Sequence, residues 1–449
     1  MLRFAPSPTG NMHIGNLRAA VFNYIIAKQR GEKFLLRIED TDTLRNKEDS
    51  DKSIFALLNL FRLHWDKQFY QSENFPKHHH FAQMLLDKGL AFYCYCSEGF
   101  LEQKFNEAIA QKRPFRYQDE WAELEKESNP NPAIRLRGSK ERIVFEDIIK
   151  GEVGFEADEL DSFVIVRSNG VPTYNFACAI DDMLCDISLI VRGEDHVSNT
   201  PRQILVHRYL GYDKQIQYAH LPILLDEVTK KKLSKRHEHA AVNYYLERGF
   251  LPQAILNYLI GMGNKTPCEI FTLQEALEWF KLENLAKSPV VVDFKRLRYI
   301  NREHMKRLSE SDFALLLETQ DLRIGALGKL FLEEASTLNE VRDKIALIFT
   351  PKDIYKLYEN QDFSKQCEVL FGALREMLET QECAKMSYGD FKNMAMQKSN
   401  LKGKDFFKPL RILLTGEAHG LELEALFALI AHRLEDIITL KEPASKWAQ

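Results

Sequence analysis

At 449 residues, 45% hydrophobic and 28% charged, the chain has an ordinary globular balance and room for about three domains. Its net charge of −4 gives no global sign of a nucleic-acid partner, yet excludes none, because phosphate binding needs only a local basic patch. Seven scattered cysteines without disulfide spacing, no secretory signal pattern and no apolar run of the ~18–20 residues a membrane span needs lead us to expect a soluble cytoplasmic protein.

The chain opens MLRFAPSPTGNMHIGN, Met1 to Asn16. This predicts a short strand, a tight loop through Pro6-Ser7-Pro8-Thr9-Gly10, and a helix starting near His13-Ile14-Gly15-Asn16. A helix N-terminus offers free N–H groups and a positive dipole end, which suits a phosphate. Gly10 and Gly15 allow close backbone approach, and His13 adds a donor. A plain strand–helix turn with a stray histidine fits the same residues. Asn16 is expected to cap the helix, which would run to about Arg30 with Leu17, Val21, Tyr24 and Ile25 on one face.

Lys33 to Ile38 reads as a buried parallel strand ending in Glu39-Asp40-Thr41-Asp42. Ligands of open α/β sheets bind at the carboxyl ends of strands, so Glu39 is placed to meet a substrate ammonium. A cluster of helix-capping acids is the alternative. Helices are expected around Ile54–Phe61 and Pro76–Lys88. His78-His79-His80 point in different directions on the second helix and do not converge on a metal. From about Ser72 to Val171 the chain has the character of an insertion, with short strands at Ala133–Leu136, Val144–Phe145 and Phe163–Val166. Within it lie Cys94 and Cys96, read as ordinary thiols.

Asn175 to Asp181 is expected to be helical and Ile187 to Val191 a strand, followed by Arg192-Gly193-Glu194-Asp195-His196. An arginine at a strand's carboxyl end is a bidentate carboxylate clamp, or else a surface ion pair. Arg3 falls under the same logic. Lys232-Leu233-Ser234-Lys235-Arg236 follows an apolar run, Leu221 to Leu225, and its two lysines can clamp a polyphosphate or simply form a solvated face. Beyond it the spacing is almost wholly helical, with Pro351 and Pro409 as breaks.

Five stretches occur in order: RFAPSPTGNMHIGN, LLRIEDTD (35–42), PTYNFA (172–177), IVRGEDHVSNTPRQ (190–203) and KLSKR. The series resembles the bacterial glutamyl-tRNA synthetases, whose HIGH and KMSKS motifs it matches at the first and last stretch. The likeness is close to about Asn301 and weaker beyond. Details such as AFYCYC, YNFACA and LKGKDFFKPLRILLTG resemble the second, divergent copy of bacteria that carry two.

The resemblance implies an α/β Rossmann-type catalytic domain (1–71 and 172–225) with an inserted α+β connective domain (72–171) that grips the acceptor end of tRNA. All-α stem-contact (226–305, with the KMSKS-type loop) and anticodon-binding (306–449) domains would follow. It implies ATP and Mg²⁺ as cofactors and a monomer working on glutamate and tRNA. Glutamate binding is carried to Arg3, Ala5, Ser7, Glu39, Tyr174 and Arg192, and ATP binding to Thr9, Gly10, His13, Gly15, Asn16, Glu194, Lys232, Ser234 and Lys235. His13, Lys232 and Lys235 would be catalytic by supplying positive charge to the phosphates. Glu194 has a loop-capping alternative, and Cys178 stands where some members carry Asn. Many members complete the C-x-C with a second Cys/His pair, which 116–122 lacks, so no zinc is expected. The resemblance also suggests charging of glutamine tRNA, against a discriminating enzyme for glutamate tRNA alone. A small-molecule nucleotidyltransferase, a non-catalytic tRNA-binding protein and a glutaminyl-tRNA synthetase fit the motifs and the helical C-terminal half less well.

Overall fold

The structure, a computed structural model, describes residues 1–41, 49–233, 238–354, 361–380 and 383–441. It divides into two compact units: Met1–Tyr244 with Leu256–Phe294, and Tyr245–Ile255 with Lys295–Gln449.

The first unit is built on β1 (Leu2–Phe4), α1 (Ile14–Arg30), β2 (Phe34–Ile38), α2 (Ser50–Leu60), β3 (Lys67–Tyr70) and α3 (Phe75–Asp87). Then come β4 (Ala91–Cys94), α4 (Glu98–Ala110), β5 (Ala133–Leu136), the hairpin β6 (Ile143–Asp147) and β7 (Gly151–Phe155), and β8 (Phe163–Val166). Next are α5 (Tyr174–Leu184), β9 (Leu189–Gly193), α6 (Thr200–Leu210) and β10 (Gln217–Leu221). Seven strands form one sheet in the order β3-β2-β1-β9-β10-β6-β7. All its pairings are parallel except β6 with β7. The order reverses between β1 and β9, the place where doubly wound sheets open a crevice at their carboxyl edge.

The hairpin β6–β7 lies inside the interval read as an insertion, yet it is hydrogen bonded to this sheet, with Asp147 opposite Tyr218. The rest of the interval makes its own antiparallel sheet, β4-β5-β8. Leu85, Leu136, Ile165, Phe176 and Val206 join α3, that small sheet, α5 and α6 in one core. A polar knot reinforces it: Asp181 accepts from Gln71 (2.8 Å) and Asn74 (2.8 Å) and meets His78 at 2.9 Å. Of the three consecutive histidines, His78 is therefore core, and His79 and His80 are exposed.

Helix α1 is capped by His13 and not by Asn16, which is exposed. His13 holds extended backbone (φ −78°, ψ 145°), and its Nδ1 accepts from Gly15 N at 3.0 Å. An imidazole acceptor can serve as the cap oxygen usually does. The helix buries more than one face: Phe22 and Asn23 are covered along with Leu17, Val21 and Ile25, while Tyr24 is half-buried. Strands β11 (Leu224–Leu225) and β12 (Val290–Val291) pair in parallel and close this unit.

The second unit is mainly helical over its described length, from Glu310–Leu316 and Leu322–Leu330 to Leu434–Ile437, with an isolated parallel bridge between Lys352 and Leu440. Pro409 does not break a helix, as its type suggests, but lies inside Lys404–Thr415. It forfeits the bond to the carbonyl four residues back. Burial of Pro409 together with Leu410, Ile412, Leu413 and Leu414 holds the segment helical regardless.

Candidate active site

Strands β1, β2 and β9 end side by side, and α5 lies beside them, so Arg3, Arg37, Glu39, Tyr174, Cys178, Asp182 and Arg192 converge. The two arginines of β1 and β2 share one carboxylate. Arg3 donates to Asp182 through Nε (3.1 Å) and Nη2 (3.4 Å), and Arg37 Nη1 donates to the same group at 2.6 Å. Arg37 Nη2 reaches on to Glu39 Oε1 at 3.2 Å. Burial alone would push the Asp182 carboxyl up, but Arg3 and Arg37 outweigh it and hold it down at about 2. Glu39 Oε1 also accepts from the Cys178 thiol at 3.0 Å. Burial, with Glu39 beside it, keeps that thiol protonated.

Arg192 is disposed differently. Its Nε donates to His220 Nε2 (3.2 Å) and its Nη2 to Thr200 Oγ1 (2.8 Å), while the buried Nη1 has no hydrogen-bond partner among the described residues. Tyr174 lies nearby with its hydroxyl 3.1 Å from His196 Nδ1. Burial, with Cys178 and Glu39 close, holds the Tyr174 hydroxyl protonated. Burial and the charge of Arg192 bring His196 down to about 4, so its imidazole is neutral at pH 7. The site thus offers a guanidinium N–H with nothing to donate to, beside a neutral hydroxyl. An incoming carboxylate would satisfy both.

The loop before α1 supplies the neighbouring surface. Gly10 has φ 110°, a conformation that side chains disfavour. A Cβ at residue 15 would lie 3.1 Å from His13 Nδ1, so Gly15 leaves room for the imidazole to cap its N–H. As an acceptor Nδ1 is unprotonated, and the neutral ring carries its proton on Nε2. Ser7 is exposed, Ala5 and Thr9 are half-buried, and the Ser7 carbonyl accepts from Thr9 N at 2.9 Å.

The fold brings the two distant motifs together. Val242 N donates to Met12 O at 2.9 Å, and His13 and Ala241 form an antiparallel bridge. The chain just after the KLSKR stretch is therefore pinned to the start of α1. Within that stretch, Leu233 is buried and its N–H donates to Leu224 O at 2.8 Å. Asp226 accepts from Thr229 N (2.7 Å) and meets His239 Nε2 at 2.8 Å, which ties the two flanks of the stretch to each other. Lys232 is exposed and donates to Asp195 at 3.2 Å. Ser234 and Lys235 lie outside the described residues. Glu194 has both oxygens engaged within the protein, one by Ile223 N (3.0 Å) and the other by Lys150 Nζ. These contacts are the geometry of the loop-capping alternative.

In the small sheet, Cys94 Sγ is 3.2 Å from the Tyr117 hydroxyl and accepts from Arg135 Nε at 3.4 Å. Arg135 in turn stacks on the Tyr117 ring, 3.7 Å from its centroid, and Cys96 donates to Trp121 O at 3.1 Å. A guanidinium beside one sulfur and a phenol beside both do not fit a metal centre. Among the described residues no group of three or more His, Cys, Asp or Glu side chains could hold a metal ion.

Sequence reasoning missed Arg37, Asp182, His196, Thr200 and His220. Two of them left a signal: a charge inside the apolar run FLLRI, and an Asp-Asp pair within the otherwise apolar α5.

Two family descriptions match the chain: "tRNA synthetases class I (E and Q), catalytic domain" over residues 1–299, and "Anticodon binding domain" over residues 292–433. Glutamate–tRNA ligase 2 of Helicobacter hepaticus is 61% identical over 442 residues, 98% of this chain and 100% of that one. Its namesake from Wolinella succinogenes is 59% identical over 444 residues, 99% and 100% of the two chains. A Helicobacter pylori protein named GlutamylGlutaminyl-tRNA synthetase is 54% identical over 441 residues, 98% and 100%. Among solved structures, glutamate-tRNA synthetase of Elizabethkingia anophelis superposes with a TM-score of 0.79 at 25% identity, over 97% of this chain and 98% of that one.

Replacing Asp182 with Asn should strand two buried guanidinium groups without their carboxylate. We expect a loss of about 3–5 kcal/mol in urea unfolding, well beyond that of a surface Asp-to-Asn change. A loss below about 1 kcal/mol would show that Arg3 and Arg37 are compensated elsewhere.

Proposed function

This chain belongs to the glutamate–tRNA ligases of the class I tRNA synthetases, and we propose that its glutamate pocket is organised by Arg192. The observation that carries this reading is the buried, unpartnered Nη1 of Arg192 beside the protonated Tyr174 hydroxyl. A carboxylate of glutamate accepts from both groups. Glu39, paired with Arg37 Nη2, accepts from the substrate ammonium. Arg3 shapes the pocket and extends its positive field, with its own charge shared with Asp182. Ala5 and Ser7 contribute strand-end backbone.

The reaction proceeds in two steps. A glutamate α-carboxylate oxygen attacks the α-phosphorus of ATP, and the bond to the bridging oxygen breaks to release pyrophosphate. A ribose hydroxyl of the tRNA's terminal adenosine then attacks the activated carbonyl, its proton is lost, and AMP leaves with the electron pair. No protein nucleophile takes part, so the protein's work is positioning and charge stabilisation. His13 Nε2–H and Lys232 are assigned to the phosphates and Thr9, Gly10, Gly15 and Asn16 to the nucleotide; the resemblance adds Lys235 to the first group and Ser234 to the second. Mg²⁺ brought in with ATP would supply further neutralisation of phosphate charge. Glu194 acts indirectly by holding the β9 loop. Asp195 holds Lys232 until a phosphate displaces it. We assign the functional segments as 1–71 with 172–225, 72–171, 226–305 and 306–449, in a cytoplasmic monomer.

Removing Lys235 tests the loop. With one charge donor gone, Lys235→Ala should lose about 3 kcal/mol of barrier reduction, hundreds-fold in the rate of glutamate charging, with tRNA affinity nearly unchanged. A variant charging at near-normal rate would remove the loop from the mechanism.

We also propose that the protein works without zinc, because Arg135 and Tyr117 occupy the surroundings of Cys94 and Cys96. Elemental analysis of protein purified without chelator should find far less than one zinc per chain; a stoichiometric amount would mean that ligands outside this cluster are recruited.

The preferred tRNA is proposed to be that for glutamine. This rests on the divergence of the C-terminal helical region and on the dual name of the Helicobacter pylori relative. Each base discriminated contributes roughly 1–3 kcal/mol, so one or two side chains suffice to change the choice. The two purified tRNAs, charged with glutamate side by side, decide it. Efficient charging of glutamate tRNA alone would leave a discriminating enzyme.

A further inference from the structure

Arg192 is held by a relay that starts on the sheet's added hairpin. Asp147, the last residue of β6, is fixed through Oδ1 by Ile149 N (2.9 Å) and Lys150 N (2.8 Å), and through Oδ2 by His220 N (3.0 Å). The same Oδ2 faces His220 Nδ1 at 2.6 Å. That carboxylate can only accept, so Nδ1 carries the proton and Nε2 is left as an acceptor. Nε2 receives Arg192 Nε, and Thr200 Oγ1 receives Arg192 Nη2. Asp147 and His220 are both fully buried, so no water can rearrange the chain. Burial lowers the basicity of His220 and the Arg192 charge adds to this; Asp147 pulls the other way without reversing it. The imidazole therefore stays neutral against the guanidinium.

We infer that Asp147 and His220 are positioning residues for glutamate: they lock the imidazole in the tautomer that accepts from Arg192 Nε and so turn Nη1 alone toward the substrate carboxylate. Two of the guanidinium's edges are committed, one to His220 and one to Thr200. A freely rotating guanidinium would present any of its five N–H groups; this one presents the Nη1 pair in a fixed plane. The inference rests on the reading of Arg192 as the glutamate clamp. It adds that the hairpin β6–β7, lying between segments of the small sheet in sequence, sets the geometry of the amino-acid pocket from the far side of β10.

The test is steady-state charging by the full chain, with glutamate and ATP varied separately. In His220→Asn the amide still donates to Asp147 but is too short to accept from Arg192. Loss of one charge-assisted hydrogen bond should raise the KM for glutamate about tenfold or more, while the KM for ATP moves less than about twofold. In His220→Gln the longer amide can place its oxygen near the Nε2 position, and the KM for glutamate should stay within about threefold of the parent. Thr200→Val, nearly isosteric, removes the second acceptor and should reproduce the tenfold rise even if a His220 variant fails to fold. Equal effects of Asn and Gln, or rises in the two KM values that run in parallel, would overturn the relay and leave His220 merely structural. Arg192→Ala with an unchanged KM for glutamate would instead overturn the assignment of the pocket, whatever the His220 variants do.

Discussion

The catalytic unit depends on one carboxylate, Asp182, held between two buried guanidinium groups. Arg3 comes from β1, Arg37 from β2 and Asp182 from α5. Burying an arginine carries a desolvation penalty of several kcal/mol, which no single residue here could offset. Shared among Arg3, Arg37, Asp182 and Glu39 the formal charges sum to zero, and hydrogen bonds link all four, the shortest from Arg37 to Asp182 at 2.6 Å. Breaking any member leaves its partners uncompensated, so the four act together and fix the register of two strands against one helix. The thiol of Cys178 completes the cluster by donating to Glu39.

That neutrality explains why Arg192 stands apart. It is the one buried arginine of the site whose partners, His220 and Thr200, are neutral. Among the described residues the Asp147 carboxylate reaches it only through His220. The neutral four-residue cluster thus lies beside an arginine whose Nη1 has no hydrogen-bond partner among the described residues. The neutral state of His196, driven by burial and by Arg192 itself, keeps a competing cation out of the same space.

The insertion has two kinds of attachment. Its own small sheet shares an apolar core with α3, α5 and α6, and the Asp181 knot adds directionality to that packing. Its hairpin instead extends the main sheet at the β10 edge. At the tip of the small sheet, where a C-x-C motif would suggest a metal, a stacked arginine and a phenol take up the sulfurs. The cluster is joined by hydrogen bonds, a cation–π contact and burial of Tyr117. It holds Cys94 and Tyr117 in register.

Much of this protein was legible in one dimension because its signals are local. The strand–loop–helix at Met1 to Asn16, the strands ending at Glu39 and Arg192, and the helical periodicity beyond residue 300 follow from apolar spacing and turn residues alone. The ordered motifs identified the family. What the sequence could not contain is which charged groups face one another. Arg3 and Arg192 look alike as arginines on strands, yet one is paired by Asp182, 179 residues away, and the other is left with a free donor. The cap on α1 fell to His13 because tertiary backbone geometry put its Nδ1 over Gly15 N. Pro409 stayed helical because its neighbours are buried. The hairpin β6–β7 joined the main sheet through β10, which no local pattern announces. Periodicity reports burial along a single element, whereas charge pairing, tautomers and edge-strand partners are set by distances between elements, and those exist only once the chain has folded.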